Sequence, residues 1–222
     1  MQKFLFSLLV VITSCTANAP AQSYDEFKAN ILKTREVIQQ SYMAADSSGK
    51  DSIITYSQVF LRNMSQEIFT YWYNTEWDFN GITQKPKTGK IACGYFVTTV
   101  IRDLGFNIPR STWAQLASET MIKKLNPSVK KYSNKSIEVV IDYFKNRPDG
   151  IYIVGLDTHV GFVSKEGKQI KFIHSSYYKP KIGVMSESLK GNNPINDASY
   201  RVIGQIFHYE MTKKWILNEK YE

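Results

Sequence analysis

The hydrophobic pattern of this chain changes period once, at Pro148-Asp149-Gly150, and that change restricts the fold more than any other feature. Before it, apolar residues recur at steps of three and four, the spacing of a helix face. After it come short runs rich in β-branched and aromatic residues, separated by turn signals such as Lys165-Glu166-Gly167-Lys168. Helices are predicted over Tyr24–Ala45, with Phe27, Ile31, Leu32, Val37, Ile38 and Tyr42 inward, and near Ser57–Tyr71, with Phe60, Met64, Ile68 and Phe69 on one side. The polar stretch Asp46–Asp51 reads as the break between them. Further helices are predicted from Cys93 to Leu104, from Thr112 to about Leu125 on capping-box spacing, and near Ser136–Asn146. Strands are predicted at Ile151–Val154, His159–Ser164, Lys168–His174 and Tyr200–Tyr209. Helices first and an antiparallel sheet second is the α+β pattern. A chain of 222 residues suits one sizeable core, so residues 22–222 are expected to form one domain. The helices of about residues 24–72 would be an N-terminal extension packed on it as a hairpin.

Residues 1–21 read as a leader. Met1-Gln2-Lys3 supplies a positive start, Phe4–Ile12 an apolar middle, and small residues an exit, the layout of a secretory signal. Two exits stay open: Ile12-Thr13-Ser14-Cys15 resembles the lipobox of bacterial lipoproteins, in which the cysteine is acylated, and the alternative is cleavage after Ala19 or Ala21. Either implies an exported protein, whether periplasmic, secreted or held to the envelope by a lipid at Cys15. No later stretch approaches the ~20 uninterrupted apolar residues of a membrane span.

The chain has two cysteines, and with Cys15 removed or acylated Cys93 is the lone thiol. Exported proteins usually pair their cysteines, so a single one points to a reactive sulfur or an intermolecular bridge. Cys93 opens the helix whose stripe is Phe96, Val97, Val100, Ile101 and Leu104, closed by Gly105. At a helix tip, unpaired N–H groups and the dipole favour the thiolate, the nucleophilic form. The ordinary fate of such a cysteine is burial as a small hydrophobe. The formal charge of +8 is spread over separate lysine pairs rather than one block, which fits a solvated surface better than an anionic polymer partner. No basic tract interleaved with aromatics suggests a nucleic-acid groove, and no His-Glu-x-x-His or paired-cysteine spacing suggests a metal or other cofactor.

A cysteine nucleophile needs a base and a group to orient that base. Of the three histidines, His159 lies in Asp157-Thr158-His159-Val160-Gly161-Phe162-Val163, where strand alternation puts His159, Gly161 and Val163 on one face. Gly161 leaves room for a close approach. His174 ends the next strand, across a hairpin, so the two imidazoles can lie side by side. His208 carries no assigned role.

A cysteine opening a helix, then a strand with His-x-Gly, then an aromatic-Ile-His-Ser segment resembles the NlpC-type family of papain-like cysteine peptidases and amidases, many of which cut peptidoglycan stem peptides. The match covers roughly Trp72–Tyr178. The resemblance implies a papain-like fold with Cys93 as nucleophile, His159 as general base and His174 as orienting residue, with Asp157 the alternative for the last role. Thr75–Gly81 resembles the family's aromatic segment upstream of the cysteine, with Trp77 beside the oxyanion hole, and Trp77, Tyr95 and Thr158 are the expected substrate contacts. Where the family commonly has Asp before its cysteine and Ser-Gly after, this chain has Ala92 and Gly94-Tyr95. The expected partner is a cell-wall peptide or another amide, acted on by a monomer that needs no cofactor. A transglutaminase-like enzyme also runs Cys, His and a carboxylate in chain order, and a non-catalytic envelope-binding protein on the same fold is the reading from a different class.

Overall fold

The computed structural model describes residues 22–222; the expected leader, Cys15 included, lies outside the described residues. Helix α1 (Tyr24–Ala44) starts at a capping box in which Ser23 and Glu26 satisfy each other's backbone N–H groups. Only Phe27, Ile31, Ile38 and Tyr42 are buried, at steps of four and seven, whereas Leu32 and Val37 are exposed. The helix meets its neighbours along one narrow seam, and residues one position off that seam turn to solvent.

Helix α2 (Ser47–Trp72) begins at Ser47 rather than near Ser57. Asp46 caps it by accepting the Gly49 N–H at 2.8 Å, so the polar stretch that reads as a breaker is a first turn. Its buried Ser57 and Ser65 return their hydroxyls to the carbonyls of Ile53 and Leu61, one turn back.

Helix α3 (Cys93–Asp103) ends at Gly105, which takes φ +92°. The single helix expected over 112–125 is two, α4 (Arg110–Ala114) and α5 (Ser118–Leu125), with no side-chain cap at either start. Then come β1 (Lys130–Ser133), α6 (Ile137–Lys145), β2 (Gly150–Leu156), β3 (Val160–Glu166), β4 (Gln169–Ser175), β5 (Val184–Ser188), α7 (Pro194–Asp197), β6 (Tyr200–Gln205) and α8 (Tyr209–Ile216). The strand expected to reach Tyr209 stops at Gln205, because Phe207 takes φ +59° and His208 caps α8.

The six strands run in the order β1-β6-β2-β3-β4-β5, with every neighbouring pair antiparallel. Helices α1, α2, α3, α5 and α8 cover one face and pack on Ile151, Ile153, Phe162, Ile173 and Val202. Helix α6 covers the other, against Tyr152, Val154, Val163, Phe172 and Ile203. With both faces closed, β2 is buried at all seven positions, which is why its sequence shows no polar alternation. The protein is thus α+β, with its helices mainly N-terminal.

Candidate active site

Cys93 stands at the tip of α3, and the backbone around it is fixed from three sides. Ser175 of β4 donates to the Ile91 carbonyl at 2.7 Å, the Ile91 N–H donates to Glu76 O, and the Ala92 N–H donates to Gly81 O. Ala92 caps the helix without a side-chain acceptor, leaving the first-turn N–H groups facing the cysteine. Gly94 allows α4 to close on this tip: a Cβ there would meet the Ala114 carbonyl oxygen at 2.3 Å.

The sulfur is half-buried. Burial pushes the Cys93 thiol up, and the N–H groups of Val160, Gly94 and Cys93 itself pull it down by less. The thiolate expected from the helix tip alone is therefore not the resting form, since desolvation outweighs the helix end. Burial thus favours the thiol form of Cys93 over the thiolate.

The candidate base, His159, lines the same cleft. His159 sits at the tip of the β2–β3 hairpin, where its carbonyl accepts the Leu156 N–H at 2.8 Å. Its Nε2 lies 2.8 Å from His174 Nδ1, and His174 Nε2 lies 2.8 Å from Glu187 Oε1. Lys179 Nζ closes the row on Glu187 Oε2 at 2.9 Å. Gly161 makes the pairing of imidazoles feasible, because a Cβ there would sit 2.7 Å from the Phe172 ring and 2.8 Å from His174 Cβ. Phe172 in turn stacks on the His174 ring, with centroids 4.2 Å apart.

The row fixes the protons. Burial, opposed by the Glu187 carboxylate, leaves His174 below the ordinary imidazole value, and burial reinforced by charge on His174 puts His159 well below it. Burial disfavours the Glu187 carboxylate, yet the hydrogen bonds from His174 and Lys179 outweigh it and hold that group below the usual range. A carboxylate only accepts, so His174 Nε2 carries the proton and its Nδ1 accepts from His159 Nε2–H. What remains on His159 is a lone pair on Nδ1, a buried atom with no hydrogen-bond partner among the described residues. Cys93 and His159 line the same cleft, with no hydrogen bond joining them in this resting geometry. Catalytic hydrogen bonds often tighten only once substrate is bound.

The cleft has a volume of about 740 Å³. Trp77, Tyr95 and Thr158 all line it, together with Tyr177, whose ring meets that of His159 at a centroid distance of 5.2 Å. Trp77 uses its backbone N–H on Pro180 O, while its buried indole Nε1 has no partner among the described residues. The Tyr95 ring lies 4.8 Å from the Arg110 guanidinium, and its hydroxyl accepts from Gln115 at 3.3 Å.

Asp157 does not reach His159. Its carboxylate accepts the Ser199 and Tyr200 N–H groups and so closes the turn onto β6, which removes it as the orienting residue. His208 caps α8 through Nδ1 and donates from Nε2 to the Leu125 carbonyl. Nothing in the local sequence singles out Glu187, Lys179 or Tyr177. Glu187 lies on β5 opposite Phe172, diagonal to His174 across the strand pair. Only the pairing of β4 with β5 brings it there, and β5 itself, Val-Met-Ser-Glu-Ser, has too weak an alternation to be read as a strand. Among the described residues no group of three His, Cys, Asp or Glu side chains is arranged to hold a metal ion. No helix there is long and apolar enough to cross a membrane.

A scan against protein-family models finds no match, and neither do searches of the curated proteins and of the solved structures.

Proposed function

We propose that this chain is an exported cysteine hydrolase of the NlpC type, with a papain-like catalytic core, that cleaves an amide bond. The observation that carries this reading is the row Glu187–His174–His159, which ends in a proton-accepting Nδ1, unpartnered among the described residues, in the cleft that holds Cys93. Substrate binding brings Sγ and Nδ1 together. The Sγ–H proton passes to Nδ1 as sulfur attacks the carbonyl carbon, so a neutral pair becomes an ion pair only when the reaction demands it. His174 Nδ1 accepts from the resulting imidazolium, and Glu187 carries the compensating negative charge at the far end of the row.

The Cys93 N–H and the Trp77 indole N–H stabilise the oxyanion, each contributing on the order of 3 kcal/mol. His159 Nδ1–H then protonates the leaving nitrogen as the C–N bond breaks, leaving a thioester on Cys93. Water, deprotonated by the same Nδ1, attacks that thioester and releases the acid, and the thiol regains its proton. In a transglutaminase-like arrangement a carboxylate would bond the base directly; here an imidazole does and the carboxylate stands one step further, which favours the hydrolase reading. A stem peptide of the cell wall is the substrate that the resemblance suggests, and the chain would act on it as a monomer.

The test is product analysis by mass spectrometry of peptide amides and purified wall incubated with the protein. New amine and acid termini are expected, absent with Cys93→Ala and with His159→Gln. If no amide or wall peptide is cut by the wild-type protein, the catalytic reading is wrong and a binding role on this fold takes its place.

A further inference from the structure

Among the described residues, no Asp, Glu, Lys or Arg lines the cleft that holds Cys93 and His159. That is unexpected for a chain with a formal charge of +8, and the ionic groups around it are engaged: Asp157 and Asp197, in the adjoining hollow that shares Thr158, His159 and Tyr177, accept from the Ser199 and Tyr200 N–H groups and from the Tyr178 hydroxyl. Arg110 lies behind Tyr95 and directs its N–H groups to Thr99 Oγ1 and to the carbonyls of Ile82 and Thr83, away from the opening. Asp78 accepts the Asn80 N–H and pairs with Lys90 at 3.6 Å. What the cleft offers instead is aromatic and aliphatic. Phe79 and Ile82 stand at its wall 79% and 58% exposed, although large apolar side chains usually find cover, and Trp77, Tyr95 and Tyr177 complete the surface. Its polar groups besides the catalytic pair are hydroxyls, amides and an indole N–H, those of Thr158, Tyr95, Tyr177, Asn80, Gln115 and Trp77.

We infer that the site takes an amide whose acyl portion is uncharged and apolar, an aromatic or branched aliphatic residue rather than an acidic or basic one. The inference rests on this cleft being the substrate site of the hydrolase proposed above, and it narrows that proposal. A carboxylate or ammonium group carried into the cleft would lose water without gaining a counter-charge, a cost that an apolar group avoids. Phe79 and Ile82 would lose their exposure to water on the bound acyl group, and neutral donors such as Gln115 and Asn80 suit the peptide backbone of a ligand rather than an ionised side chain. Within the stem peptides that the resemblance suggests, this favours a bond whose acyl side carries an uncharged side chain over one flanked by a free carboxylate.

Binding and turnover are measured separately with three compounds that differ only in side-chain charge: the methylamides of N-acetyl-phenylalanine, N-acetyl-glutamate and N-acetyl-lysine. Dissociation constants are taken by NMR titration of the Cys93→Ala protein, with Cys93→Ser as a second background, and methylamine release is followed with the wild type. The phenylalanine compound is expected to bind about tenfold or more tightly than either charged one, and Phe79→Ser or Ile82→Ser is expected to reduce that margin. Equal or tighter binding of the glutamate or lysine compound, or no binding of any, overturns the inference. Selective binding without methylamine release upholds the ligand class and counts against the hydrolase, so the two failures are distinguishable.

Discussion

Glu187 never touches the cleft, yet it sets the proton positions of both imidazoles. Glu187→Gln is expected to lower kcat about tenfold to a hundredfold with little change in KM, because an amide can donate as well as accept and no longer holds one His174 tautomer. A change confined to KM would show that the residue shapes the cleft instead. Because burial keeps His159 well below the ordinary imidazole value of 6.5, its base form persists on mild acidification. The acid limb of kcat/KM against pH should accordingly fall below pH 6.5, and a limb at or above that value would remove His159 as the free base. Alkylation of Cys93 by iodoacetamide should be slow at neutral pH and rise into the alkaline range, since burial pushes this thiol up. Cys93 at its helix tip and the paired histidines are legible one residue at a time. The raised thiol is not, because desolvation depends on what surrounds the sulfur in space rather than on the helix it opens.

At the scale of elements, the hairpin β3–β4 is the device that joins His159 to His174, and Gly161 is its critical position. Gly161→Ala places a Cβ within 3 Å of Phe172, His174 and the Ile173 carbonyl oxygen, on a strand already held by β5 on its far side. The expected cost is about 1–3 kcal/mol in urea unfolding, with a larger loss of turnover because the His159–His174 bond is the contact displaced. An unchanged midpoint together with unchanged activity would mean that the strands part freely there. Elements with a strong single period, such as α1, α3, α6 and the strands β2 to β4, were readable in place. Those missed had a reason to be missed. Strand β1 is exposed at three of its four positions, so no alternation marks it, and it exists only because β6 offers an edge. The opening turns of α2 look like a loop until Asp46 is recognised as a cap.

Across the whole molecule, the N-terminal helices belong to the same core as the site rather than to an appendage. Phe27, Ile31, Leu61, Phe69 and Trp72 pack in one cluster with Phe96 of α3, Phe162 of β3 and Trp215 of α8. Leu61→Ala, far from the cleft, should therefore destabilise the whole fold by about 2–5 kcal/mol, read as a shift of one cooperative urea transition. Two transitions would mean that the helices fold apart from the sheet. Stability should also respond to mild acid. The folded-state pKa values of His159 and His174 are lowered, so the unfolded chain binds more protons below pH 6.5 and stability falls as pH drops through that value. The slope is at most about 1.4 kcal/mol per pH unit for each imidazole, and His159→Gln should flatten it between pH 6.5 and 5. A melting temperature flat over that interval in the wild-type protein would contradict the buried, neutral pair.

By itself the sequence determined the α+β order, the helix that presents Cys93 and the hairpin that sets His159 beside His174. These follow from local periodicity and from short-range strand pairing, both written in neighbouring residues. Only the tertiary structure decided that Glu187 and Lys179 complete the row, that Asp157 is turned onto β6, that burial pushes the Cys93 thiol up and that, among the described residues, no ionic side chain lines the cleft. Each of those depends on which groups distant in the chain share a dry space, and electrostatics acts across that space without regard to sequence separation.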